Sequence, residues 1–307
     1  MKHQIMCLII VIAISGCSSQ KHSLYVESQS FGIVVSFDKY ATEVGKKILE
    51  DGGNAIDASV GVGFALAVTH PGAGNLGGGG FMVLRLKDGS RTSIDYREKA
   101  PQKASRDMYL DSKGNHLTHL SQEGYLSVGV PGSVAGMLFA LEKYGTMSIE
   151  QVLKPSYKLA IEGFRVDARF STLLTFFKDE LSKYPSTADI FLKDSLTAYE
   201  EGDIFRQPDL AATIDRIIKQ GNAGFYSGRT AELFVSTMKK YGGLITKEDL
   251  MSYKPVEREP IIGNYRGYDI ISMPPSSSGG VILIELLNIL EDFDLSSTEP
   301  LYIAYLK

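Results

Sequence analysis

Apolar residues spaced three and four apart run through most of this chain, and one glycine-dense stretch interrupts them. Val44 and Ile48 are one helical turn apart, and the Asp51–Asn54 segment DGGN stops that helix. Asn54 is placed to cap the next one. There AIDASVGVGFALAV is nearly all small and apolar, with only Asp57 charged, which predicts a buried helix whose small residues let backbones approach closely. After the glycines, FMVLRL and TSIDYRE alternate as two strands, with Asp88-Gly89 as their hairpin turn. Helical periods then dominate. Ser148 and Gln151 make a capping box, and Pro155 reads as the start of a second helix that ends at Gly163. Pro208 opens a helix with Leu210, Ile214, Ile217 and Ile218 on one face and Gly221 as its stop, and RTAELFVSTMKKYGG repeats that logic with Gly242. EPIIGNYRGYDIISM predicts two short strands around Gly263–Gly267. SSSGGVILIELLNILEDF predicts a capped helix with Ile282, Leu286, Ile289 and Phe293 turned inward. The pattern is that of one mixed α and β domain with a helical middle.

The first residues follow another rule. Lys2 precedes an apolar run from Ile5 to Ile14, too short to span a bilayer and long enough for a signal-peptide core. It closes on Ile14-Ser15-Gly16-Cys17, which resembles the bacterial lipoprotein box. On that resemblance residues 1–16 are removed and Cys17 is acylated, residues 17–30 are a polar tether, and the protein is anchored by lipid in the bacterial periplasm or cell envelope. A plain secretory signal with an incidental Cys17 is the alternative. Several acyl chains at about 0.8 kcal/mol per buried CH₂ anchor a protein stably. Cys7 and Cys17 are the two cysteines of the sequence, so a chain that has lost Cys7 has no partner thiol for an internal disulfide and no Cys-based zinc site.

Composition narrows the function. The 307 residues are 44% hydrophobic and 22% charged, with a net charge of -4. No basic surplus exists to neutralise phosphates, which argues against nucleic acid as a partner.

The glycine stretch has six glycines in the nine positions from Gly72 to Gly80. Gly72, Gly74 and Gly77 satisfy G-x-G-x-x-G, and Asp95 is an acidic residue about 20 positions on. A dinucleotide loop, however, needs a strand before it and a helix after it, and here the order is reversed. A P-loop fails because no Lys-Ser or Lys-Thr follows. Two readings of Gly77–Gly80 remain open. One is positive φ and close backbone approach to a ligand or second segment, with amides able to bind an anion or oxyanion. The other is a tight helix-to-strand crossover packed under a neighbour.

Other motifs select little. Ser36-x-x-Lys39, Ser18-x-x-Lys21 and Ser236-x-x-Lys239 all match S-x-x-K, with no S-D-N or K-T-G beside them. There is no G-x-S-x-G elbow. His116 and His119 have helix-face spacing but lie in a polar, Thr-rich stretch, where a solvated loop is the simpler reading than a metal site. Arg97, in IDYREKAP, is the strongest single candidate, since a guanidinium grips a carboxylate with two parallel hydrogen bonds. A structural ion pair with Glu98, Asp95 or a distant acid is its alternative.

Taken together and in order, EDGGNAIDASVG, NLGGGGFMV, IDYREKAP, VGVPGSVAG, QPDLAATI, GFYSG, YGGLITKEDL and MPPSSSGG resemble the γ-glutamyltranspeptidases (γ-glutamyltransferases, or glutathione hydrolases). The resemblance covers roughly Phe31 to Phe293. It implies an α+β fold, the αββα sandwich of the N-terminal nucleophile hydrolases. It also implies a precursor that cuts itself into large and small subunits, and a small-subunit Thr that attacks the γ-glutamyl carbonyl with its own α-amine as base. Water or an amino acid then takes the acyl group. By the same resemblance Arg97 binds the α-carboxylate of the glutamyl group of a substrate such as glutathione, and no metal or organic cofactor is implied.

No Thr-Thr-His-type cleavage segment occurs, so residues 31–307 are expected to be an incomplete large-subunit portion without the nucleophile. Three outcomes follow: one half of an enzyme completed by a small subunit encoded separately, an inactive remnant, or a lipid-anchored γ-glutamyl-binding protein.

Overall fold

The structure, a computed structural model, describes residues 25–29 and 32–293. The signal and Cys17 readings therefore lie outside the described residues. β1 (Tyr25–Gln29) and β2 (Gly32–Ser36) pair antiparallel, with Tyr25 opposite Ser36. Residues 25–29 belong to the stretch expected as a polar tether. They form a strand because Tyr25 and Val26 favour extended backbone and β2 presents an edge to pair with.

α1 (Lys39–Glu50) begins at Asp38, whose carboxylate accepts from the Ala41 amide at 3.0 Å. It lays Ala41, Val44, Ile48 and Leu49 into the core against α2 (Ala55–Thr69). Asn54 caps α2 as the sequence predicts: its side chain accepts from the Ile56 and Asp57 amides, and Asp57 returns the bond by accepting from the Asn54 amide at 2.7 Å. α2 is buried around most of its circumference. At Gly61 a Cβ would collide with the Ile48 side chain, so the small residue sets the α1–α2 spacing.

Asp57 is fully buried and satisfied from outside its own helix as well. It accepts from the Thr146 amide at 2.9 Å, the Thr146 hydroxyl at 2.7 Å and the Met147 amide at 3.1 Å. Burial pushes its carboxyl up; the Thr146 hydroxyl and the amides of Asn54, Met147 and Thr146 outweigh that and hold it below the usual carboxylate range.

β3 (Phe81–Arg85) and β4 (Arg91–Asp95) form the expected hairpin, turning through Asp88 and Gly89, whose φ is +85°. α3 (Ser133–Tyr144) and α4 (Ile149–Glu162) follow. The Ser148–Gln151 capping box is present, but Pro155 does not start a second helix: it sits inside α4. The helix loses one amide donor there and stays whole because Val152, Leu153, Ser156 and Ala160 are held against α2 and α5 (Pro208–Gln220). α5 starts on Pro208 and stops at Gly221, and α6 (Gly228–Tyr241) stops at Gly242 in the left-handed region, all as read from the sequence.

β5 (Val256–Arg258) returns to pair antiparallel with β4, giving a three-stranded sheet ordered β3-β4-β5. β6 (Ile261–Tyr265) and β7 (Tyr268–Ser272) make a second hairpin, and α7 (Gly279–Glu291) packs on it. Here the inward stripe differs from expectation. Val281, Ile284, Leu287 and Leu290 are the half-buried positions, while Ile282, Leu286, Ile289 and Phe293 face outward, Ile289 at 62% exposure. Both stripes are apolar, so periodicity alone does not choose between them. Nor is there a side-chain cap at Ser278.

Helices and antiparallel sheets together give the α+β class. Among the described residues the continuous core reaches from Val34 to Tyr253, and no side chain of β6, β7 or α7 joins it.

Candidate functional site

Arg97 lies just beyond the end of β4, where the chain leaves the sheet beneath the glycine stretch. Tyr96 donates from its amide to the Gly80 carbonyl at 3.0 Å, and the Gly80 amide donates back to Tyr96 at 3.3 Å. The Gly78 carbonyl accepts from the Gly132 and Ser133 amides at 2.7 and 2.9 Å, at the start of α3. A Cβ at Gly79 would stand 2.7 Å from both the Tyr96 oxygen and the Glu98 nitrogen. None of Gly77–Gly80 has positive φ. Close approach to a second segment, which both readings allow, is seen at Gly79 and Gly80; the positive φ of the first reading is not. Gly79 and Gly80 are small because Tyr96 and Glu98 press on them, and Gly78 because Asn75 does; a Cβ at Gly77 would meet open space.

α3 meets this segment through two more glycines. A Cβ on Gly132 would strike the Tyr253 hydroxyl and the Tyr96 carbonyl, and one on Gly136 would strike the Tyr96 ring. The VGVPGSVAG motif thus serves the backbone around residue 97.

The Arg97 guanidinium is 60% exposed. Its nearest acid is Glu98, Nε to Oε2 at 3.7 Å, and it stands 5.9 Å from the Phe81 ring centre. Asp95 is not its ion-pair partner. That carboxylate is buried and faces Arg258 Nε at 3.0 Å. The structural alternative for Arg97 is therefore a loose, solvent-exposed neighbour contact, worth little. An exposed guanidinium on a fixed backbone can accept a carboxylate ligand in bidentate fashion.

The other motifs fall away from this place. Ser36 is buried, donating to the Asp38 carbonyl at 2.8 Å and sharing a hydrogen bond with Thr42, while Lys39 Nζ lies over the Tyr40 ring. Its S-x-x-K match is structural. His116 and His119 are exposed, His116 Nδ1 being 3.4 Å from Thr118 Oγ1. Among the described residues no group of three His, Cys, Asp or Glu side chains converges as a metal site. A cleft of about 360 Å³ lies between α3 and Met251–Pro255 with Tyr226 and Tyr253 in its wall; Arg97 does not line it.

Around Arg97, sequence reasoning named Asp95 only as an ion-pair candidate and passed over Tyr253. Asp95 accepts from the Arg97 amide at 3.1 Å, and the Tyr253 hydroxyl donates to the Arg97 carbonyl at 2.7 Å. The x-D-x-R spacing was a usable signal for the first. For Tyr253, 156 positions away, no local signal exists.

Residues 41–306 match the sequence pattern of the Gamma-glutamyltranspeptidase family. Among curated relatives, the chain is 51% identical over 265 residues to a glutathione hydrolase proenzyme of Escherichia coli K12, covering 86% of this chain and 46% of that protein. It is 41% identical over 270 residues to the Bacillus subtilis (strain 168) glutathione hydrolase proenzyme, with 86% and 45% covered. It thus spans about half the length of the curated relatives it matches. Among solved structures, the Helicobacter pylori γ-glutamyltranspeptidase superposes with a TM-score of 0.88 at 49% identity, over 90% of this chain and 79% of that one. The Bacillus anthracis transpeptidase CapD does so at 0.74 and 33%, over 91% and 89%. The chain is a member of the γ-glutamyltranspeptidase family.

Proposed function

We propose that this chain is the glutamyl-carboxylate-binding part of a γ-glutamyltransferase and glutathione hydrolase whose nucleophilic Thr is carried on a separate small-subunit segment. The observation that carries the reading is Arg97: its backbone is hydrogen-bonded on both sides while its guanidinium stands open to solvent. Two parallel N–H···O bonds from that guanidinium hold the α-carboxylate of the donor, which fixes the γ-carbonyl for attack. The Thr hydroxyl, relieved of its proton by its own amine, adds to that carbonyl. The amide nitrogen leaves with the proton, and water or an acceptor amino acid releases the acyl group. The relatives' names support the donor class, and the outward apolar stripe of α7 supports a further segment in the working protein.

The test uses a γ-glutamyl anilide. The 307-residue chain alone releases no anilide; co-expressed with a Thr-led small-subunit segment of a family member, it does. Turnover by the chain alone overturns the division of labour. In the active assembly, Arg97→Lys lowers kcat/KM by about 2–3 kcal/mol, roughly 30- to 150-fold. Wild-type kinetics in that variant return Arg97 to a structural role.

We further propose that the protein works in the cell envelope of a bacterium, with residues 1–16 removed and Cys17 acylated. Its support is the Ile14–Cys17 pattern after an apolar run. Cys17→Ser moves the protein from the membrane fraction to the soluble fraction; unchanged membrane association argues against acylation.

A further inference from the structure

Asp95 and Tyr253 meet residue 97 from opposite ends of its backbone. The Asp95 carboxylate, at 8% exposure, accepts from the Arg97 amide at 3.1 Å, and its other oxygen faces Arg258 Nε at 3.0 Å and Ser276 Oγ at 3.4 Å. One side chain thereby ties Arg97 to β5 and to the PPSSSGG loop. The Tyr253 hydroxyl donates to the Arg97 carbonyl at 2.7 Å. Its ring is itself held: Tyr226 stacks on it at 5.9 Å with planes 7° apart, and Lys99 Nζ stands 4.8 Å from its centre while donating to the Lys254 carbonyl. Tyr226 in turn is fixed by donating to the Pro131 carbonyl at 2.9 Å and accepting from the Ala135 amide. Gly132 leaves the opening through which the Tyr253 hydroxyl reaches residue 97.

These contacts matter because the Arg97 side chain has so few of its own. A guanidinium that is 60% exposed, with one neighbour at 3.7 Å, takes its direction from the Cα–Cβ bond, and that bond follows the backbone of residue 97. Binding groups need placement within about 0.5 Å of the productive geometry, supplied by the residues behind them. We infer that Asp95 and Tyr253 are positioning residues for Arg97, and that selectivity for donors bearing an α-carboxylate depends on this pair. Both act through Arg97 and neither touches the donor. The inference rests on the proposed role of Arg97 as the carboxylate-binding group.

The experiment compares two anilide donors in the active assembly: γ-glutamyl anilide, and 4-aminobutyryl anilide, which lacks the α-carboxylate. Tyr253→Phe keeps the ring and removes one hydrogen bond; Asp95→Asn keeps the shape and removes the charge. Each is expected to raise KM for the γ-glutamyl donor about tenfold with kcat nearly unchanged, and to lower the kcat/KM ratio of the two donors by a similar factor. A general loosening of the fold lowers both donors alike and leaves their ratio intact, which overturns the inference. Arg97→Lys separates the two layers. If Arg97→Lys abolishes the selectivity and neither supporting variant changes it, the positioning role alone is wrong. If Arg97→Lys also keeps the selectivity, the carboxylate-binding role falls and the positioning role falls with it. Should Asp95→Asn fail to fold because Arg258 loses its partner, Tyr253→Phe decides the question.

Discussion

α2 and α7 are written in nearly the same alphabet and end in opposite environments. Ten of the fifteen residues of α2 are buried, including Phe64 at 0% exposure; of the thirteen in α7, only Gly280 is. The difference lies in what surrounds each helix. α2 is wrapped by α1, α3 and α4, whereas among the described residues the β6–β7 hairpin is the main element on which α7 rests. An all-apolar helix states that it wants covering on every side, but not what covers it. Stability in this chain is therefore concentrated in the first region, and substitutions report which region they touch.

The largest effect belongs to the wrapped helix. Phe64→Ala removes a fully buried ring and leaves a cavity that rigid neighbours cannot fill, a loss of about 3–5 kcal/mol. Urea unfolding measures it directly. A loss below about 1 kcal/mol means the helix is not held as tightly as its burial implies, and the contrast with α7 fails.

A smaller effect tests the polar group within the same helix. Asp57 is the single charge in AIDASVGVGFALAV, and its folded carboxyl titrates below the ordinary range. The unfolded group titrates near about 3.9. Folding therefore gains stability from Asp57 at every pH above that value, and loses it as pH falls through the depressed folded value. Urea midpoints taken from pH 7 down to about pH 2.5 are expected to drop less in Asp57→Asn than in the parent over that acid window. At neutral pH the substitution costs on the order of 2 kcal/mol, because an amide cannot accept from all four donors as a carboxylate does. Equal acid slopes in parent and variant would mean that Asp57 contributes no linkage.

Much of the first region was legible in the sequence because its signals are local. The Asn54 cap, the Ser148–Gln151 capping box, the Asp88-Gly89 turn and the Gly242 stop each sit within four residues of what they control. Pro155 was misjudged because tertiary packing of α4 outweighs one missing donor. The glycine loop was half legible. Its density demanded a close approach, but only the fold brings Gly132 and Tyr96 against Gly78–Gly80. At the site, Arg97 stood out by its chemistry, whereas Tyr253 stayed hidden because a hydroxyl that meets a carbonyl 156 residues away leaves no periodicity behind. The outward stripe of α7 was misread for the same reason: the choice between two apolar faces is made by a neighbour, not by spacing.

The smallest effect is the one that puts this contrast at greatest risk. Ile289 is 62% exposed on the outward stripe of α7, and Ser at that position has nearly the same helix propensity. Ile289→Ser in the 307-residue chain is therefore expected to change unfolding free energy by less than about 0.5 kcal/mol, as exposed positions do. Burial of a whole Ile side chain contributes roughly 1.5–3 kcal/mol, so the two possibilities are well separated in a urea titration. A loss in that larger range would mean that the outward stripe is covered after all, and that α2 and α7 differ in their partners rather than in whether they have them. A loss that grows with protein concentration would assign the cover to a second copy of the chain, since only association makes stability depend on concentration.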